Sequence, residues 1–163
     1  MDKKTILNIE NISKTYRNED IQVPALIDVS LAIEEGEFVM ITGHNGSGKS
    51  TLLHQLGLLD MPDKGKIILN DRDVVSMDEG NRTKLRLKYL GYIFQEYALI
   101  AELTALENVM LPAMLIGNSC DARKKAVEIF RKVNIEKKVN RLPGQLSGGE
   151  QQKVAIARSL IND

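Results

Sequence analysis

Apolar and polar residues change their spacing several times along these 163 residues, and each change predicts an element. Ile6, Ile9 and Ile12 stand among polar neighbours, and "PALIDVSLAI" alternates imperfectly. The first 35 residues therefore predict strands joined by the polar stretch Arg17–Gln22. Gly36 reads as a turn, and Phe38–Ile41 is a short apolar run rich in β-formers, the profile of a strand buried on both faces. After a glycine-rich turn, "KSTLLHQLGLLD" is helical, and Gly65–Val75 predicts a hairpin turning at Asn70-Asp71. From Leu99 onward the pattern is helical, and Ala126, Val127, Phe130 and Val133 form one apolar face.

Composition narrows the class without naming a partner. With 43% hydrophobic residues the chain can bury a sizeable core, and its 22 basic and 22 acidic residues cancel. No net field draws it to nucleic acid or an anionic membrane. Cys120 is alone, which excludes an intrachain disulfide and fits a reducing compartment. The polar start lacks the apolar core of roughly 7–15 residues that a secretory signal needs. The longest apolar stretch, around Val109–Gly117, is far below the roughly 20 residues that span a bilayer, so a membrane role must run through a partner.

The chemistry concentrates in two glycine-bearing segments. "GHNGSGKS", Gly43–Ser50, fits G-x-x-x-x-G-K-[ST] between a predicted strand and a predicted helix. Glycines let the backbone N–H groups turn inward at the positive end of a helix, which makes a nest for phosphate. Lys49 would then reach the β- and γ-phosphates, and the Ser50 hydroxyl would take one coordination position on Mg²⁺. The bland alternative is a plain strand-to-helix turn, for which this order of glycines and lysine has no use. His44 and His54 lack a second ligand at metal spacing and read as structural.

The second segment is "LSGGEQQKVAIARSL". Ser147 and Glu150 make S-x-x-E ahead of an apolar helical surface, a capping box. That explains the serine and the glutamate, but not Gly148 and Gly149, where better helix formers would be preferred. Paired glycines let another surface or a phosphate approach the helix end. One nucleotide's phosphates are already served by the first segment, so the second suits a nucleotide held by another protomer.

In this order, "GHNGSGKST", "GYIFQ" and "LSGGEQQKVAIARSL" resemble the motifs of ABC ATPases over essentially the whole chain. "PALIDVSLAIEEGE", "LTALENVMLP" and "RLPGQLSGGEQQ" look most like the lipoprotein-release and macrolide-export branch. The resemblance implies an α/β fold, a phosphate-loop NTPase core with an antiparallel β subdomain, an inserted α-helical subdomain and C-terminal strands missing. It implies one partial domain over 1–163, with the β subdomain and core at about 1–96, the helical subdomain at about 97–146 and the signature helix at 147–163.

Position by position, Tyr16 is expected to stack on adenine, although a half-buried strand tyrosine reads the same in the sequence. Gly43, His44, Asn45, Gly46, Ser47, Gly48, Lys49, Ser50 and Thr51 are expected to wrap the phosphates of ATP. Ser50 and Gln95 are expected at Mg²⁺, with Lys49 and Gln95 the partial catalytic set. Ser147, Gly148, Gly149 and Glu150 are expected to touch ATP on a second subunit in a head-to-tail dimer. In the family an apolar strand ending in Asp-Glu and then a switch histidine follow the signature helix. Neither lies within these residues, and neither "IILND" nor "SMDE" stands in for the carboxylates. The expectation is an ATP-binding subunit, truncated after the signature, that binds Mg-ATP without hydrolysing it alone. Its place would be peripheral, at the cytoplasmic face of the membrane, beside transmembrane permease subunits and away from nucleic acid. Two alternatives stay open: a non-catalytic regulatory module, or a soluble ABC ATPase of repair or translation, against which the short gap from Gln95 to Leu146 argues.

Overall fold

The computed structural model describes residues 3–18, 21–117 and 119–162. The chain divides into two compact units between Arg82 and Thr83. In the first, strands β1 (Thr5–Asn18) and β2 (Ile21–Glu34) pair antiparallel, with Leu7 opposite Ile33 and Tyr16 opposite Val23. The predicted pair of strands is therefore present, and Glu19 and Asp20 of the predicted connection lie outside the described residues. Strand β3 (Lys64–Leu69) adds to the other side of β1, and the short β4 (Arg72–Asp73) completes the order β2-β1-β3-β4.

The β3–β4 turn is where the sequence placed it. Asn70 and Asp71 have φ of 47° and 62°. A two-residue hairpin turn of this hand needs positive φ at both positions, which short Asn and Asp side chains tolerate better than most. Leu7, Ile9, Ile12, Leu26, Ile67, Leu69 and Val74 form the buried side of this unit. Residues two apart on a strand share a face, which pairs Leu7 with Ile9 and Ile67 with Leu69, and Ile12 joins them three residues after Ile9 because the β1 register shifts between the two.

The run Phe38–Ile41 departs from its expectation. Among the described residues it pairs with no strand, Phe38 is 92% exposed, and Val39 and Met40 are open as well. A strand can be buried on both faces only when elements cover both faces, and no described strand flanks this one. Helix α1 (Lys49–Leu56) stops at Gly57, short of the predicted Asp60, and Leu58 beyond it turns left-handed at φ 54° while burying its side chain.

The second unit is helical. Helix α2 (Glu79–Tyr89) spans the division and was invisible in the sequence pattern, because only Leu85 on it is buried. Helices α3 (Ala105–Leu115), α4 (Ser119–Lys132) and α5 (Gly148–Ser159) pack around Val109, Ala126, Phe130, Val154 and Ala157, all fully buried. The predicted α4 face supplies Ala126 and Phe130 to that core, with Val127 and Val133 packed at its margin. Burying one aromatic such as Phe130 contributes roughly 1.5–3 kcal/mol. Asn108 is buried among these apolar groups with its amide satisfied: it donates to the carbonyls of Ile100, Leu103 and Thr104 and accepts from the Ile100 amide. It thereby fixes the loop leading into α3.

Candidate functional site

The glycine-rich loop is built around a helix end left open. Gly48 is the N-cap of α1, left-handed at φ 86°, and offers no side chain to the first-turn amides. A Cβ at Gly48 would strike the Ala25 carbonyl oxygen on β2, so only glycine lets the loop lie this close to the strand. Lys49, the first residue of α1, turns its ammonium back to donate to the carbonyls of Gly43 (2.9 Å) and His44 (2.8 Å). The loop is thus gathered around a positive charge at the positive end of a helix whose N-cap makes no side-chain hydrogen bond. Gly46 and Ser47 form its exposed rim, Ser50 is exposed on the first turn, and Thr51 is half-buried. His44 Nδ1 donates to the Asn45 carbonyl at 2.8 Å within the loop, consistent with a structural histidine.

Tyr16 lies on the same unit, part-exposed at 43%. It pairs with Val23, two residues along β2 from Ala25, whose carbonyl abuts Gly48. Strand geometry therefore sets Tyr16 on the order of 10 Å from the loop, comparable to the reach from the phosphates to the base of a nucleotide. Its hydroxyl donates to Asp60 Oδ2 at 3.0 Å, and Asp60 Oδ1 accepts from Lys14 at 2.8 Å. Burial pushes the Asp60 carboxyl up most strongly. The bonds from Lys14, the Met61 amide and Tyr16, with the Lys14 charge, together outweigh it and hold the group below its ordinary value. The sequence reading missed Lys14 and Asp60. Lys14 and Tyr16 at i and i+2 on one strand face were the available signal.

The signature segment and Gln95 fall in the helical unit. Ser147 caps α5: its hydroxyl accepts from the Glu150 amide at 3.4 Å, and Glu150 Oε2 accepts from the Ser147 amide at 2.8 Å, the predicted capping box. The Ser147 amide, then Lys138 at 3.0 Å, hold the Glu150 carboxyl below its ordinary value. A Cβ on Gly149 would meet open space, and one on Gly148 would meet only the Tyr97 hydroxyl at 3.5 Å. Gln95 is exposed in a turn.

The segment around Gln95 is held by α5. Gly91 lies so close to the Ser159 backbone that any Cβ would collide with it. Arg158 donates to the carbonyls of Tyr97 (2.7 Å) and Ala98 (2.6 Å), residues held left-handed at φ 61° and 47°. Burial lowers the Arg158 pKa from its ordinary value. One helix thus presents the signature at its start and braces the Gln95 segment at its end. No local motif announced this Arg158 contact.

An open helix N-terminus with a lysine at its first position and glycines before it defines a phosphate-loop protein. The chain belongs to the ABC transporter family, whose model matches residues 26–163. It is 45% identical over 158 residues to the lipoprotein-releasing system ATP-binding protein LolD of Rickettsia bellii (strain RML369-C), covering 96% of this chain and 69% of that protein. It is 43% identical over 159 residues to the macrolide export ATP-binding/permease protein MacB of Hyphomonas neptunium (strain ATCC 15444), covering 97% of this chain but 25% of the relative. A dimeric, post-hydrolysis structure of the ATP-binding cassette MJ0796 bound to ADP and Pi matches with a TM-score of 0.90 at 42% identity, over 96% of this chain and 69% of that one. The antiparallel sheet and helical unit are those of an ABC ATPase cassette, and the chain spans about a quarter of the macrolide relative's length.

Proposed function

We propose that this chain is the ATP-binding part of a membrane exporter of the lipoprotein-release or macrolide-export kind. The observation that carries the reading is the uncapped N-terminus of α1, with Lys49 holding the loop Gly43–Ser47 around it. Backbone amides of the loop and the first turn receive the phosphates, and Lys49 exchanges its two carbonyl partners for phosphate oxygens. Tyr16 meets the base.

Among the described residues no cluster of three or more His, Cys, Asp or Glu could hold a metal. Mg²⁺ fits here nonetheless, because it keeps several waters and phosphate oxygens and asks for only one or two protein oxygens. Ser50, exposed on the first turn of α1, would supply one of them. When bound, the ion neutralises charge along the phosphates.

Ser147, Gly148, Gly149 and Glu150 serve a nucleotide on a second copy or a related subunit, a reading supported by the dimeric cassette and by the open space at Gly149. No helix of the described residues is long and apolar enough to cross a membrane. Transport would then act through permease subunits docked near Gln95–Leu106, with this chain peripheral at the cytoplasmic face. Calorimetric titration with Mg-ATP tests the reading: binding is expected, and absence of binding contradicts it.

A further inference from the structure

The segment after α1 does more than lead into β3. It joins β1 at several points around Tyr16. Asp60 takes the Lys14 ammonium on one carboxylate oxygen and the Tyr16 hydroxyl on the other. Lys14 also donates to the Met61 carbonyl at 2.7 Å, and Asp63 accepts from the Thr15 amide at 2.7 Å. The Lys14 ammonium stands 5.5 Å from the Tyr16 ring centroid, within cation–π range. Tyr16, Arg17 and Gln22 border a surface groove on this side of the unit.

We propose that Asp60 is a positioning residue for the nucleotide base: it pins the Tyr16 ring through the hydroxyl while Lys14 covers one ring face, leaving the other to stack. This rests on the reading that Tyr16 meets the base. A half-exposed tyrosine on a strand is otherwise free to change rotamer, and stacking would freeze it. A ring already held by its hydroxyl loses less freedom when the base arrives. The same helix then serves both ends of the ligand, since the start of α1 takes the phosphates and the loop after its end holds the base platform.

The test titrates the full chain with Mg-ATP and, separately, with inorganic tripolyphosphate, which has phosphates and no base. Asp60→Ala should weaken ATP binding roughly two- to tenfold and leave tripolyphosphate unchanged. Tyr16→Phe keeps the ring and removes only the tether, so it provides the same comparison should Asp60→Ala fold poorly; ATP alone should weaken. The double variant should bind ATP no more weakly than Asp60→Ala by itself. Equal weakening of both ligands, or no change for ATP, overturns the proposal. Tyr16→Ala separates the underlying reading: ATP affinity unaffected by loss of the whole ring would remove Tyr16 from the base site, and the proposal with it.

Discussion

The chain has two glycine-marked helix starts, and they solve the same physical problem in opposite ways. Every helix leaves its first amides without partners. At α5 the chain supplies its own side-chain cap, with Ser147 and Glu150 bonded reciprocally and Lys138 paired to the glutamate. At α1 the N-cap is a left-handed glycine with no side chain, and the lysine beside it donates to two loop carbonyls. The α5 start carries a side-chain cap, whereas the α1 start has none and, on the proposed reading, takes an anion instead. Glycine means different things at the two places. Gly48 is required by its backbone and by the closeness of Ala25, while Gly149 has open space where a Cβ would stand.

The sharpest way to break this contrast is Lys49→Ala. Removing a charge-assisted contact to phosphate should lower ATP affinity about ten- to a hundredfold, measured calorimetrically, with little change in melting temperature. Gly48→Ala should fail differently, destabilising the chain by about 1–3 kcal/mol through left-handed strain and weakening ATP binding with it; denaturant unfolding with and without ATP separates the two. At the other helix, Ser147→Ala should cost about 1 kcal/mol of stability and leave ATP affinity of the dilute chain untouched. Gly149→Ala should stabilise the chain by about 0.5–1 kcal/mol, since its conformation is helical and nothing opposes a methyl.

The smallest expected effect is on pH dependence. Glu150 and Glu107, each in a capping box, have carboxyl pKa values below the ordinary one, Glu107 through the Thr104 hydroxyl and then the Thr104 amide. A depressed folded-state pKa contributes stability that is present above the unfolded value of about 4.5 and lost as pH falls through the folded one. The melting temperature should therefore fall below that range, and Glu107→Gln with Glu150→Gln should flatten the fall.

What the sequence revealed and what it hid follow from the range of the interactions. Local rules found the Asn70-Asp71 turn, the phosphate loop and the Ser147 box, because each is settled within a few residues. The same rule applies to Thr104 and Glu107, whose pattern is equally local. Helix α2 was hidden because it buries only Leu85, so it lacks an apolar stripe. The exposure of Phe38–Ile41 was illegible for the converse reason: an apolar run states a preference, and burial needs neighbours that composition does not name. The Lys14–Asp60–Tyr16 cluster and the hold of Arg158 on Tyr97 and Ala98 are polar contacts between distant residues, and no periodicity marks them. Gln55 is the least legible position. Its side chain is fully buried and finds no hydrogen-bond partner among the described residues, and nothing in their fold accounts for it.

Amide hydrogen exchange of the dilute chain, with and without saturating Mg-ATP, tests the contrast between the two helix starts most directly. Slowed exchange confined to Gly46–Thr51, with the amides of Gly148–Glu150 unchanged, is the predicted result. Equal protection at both starts, or an unprotected loop at saturating ATP, would contradict it.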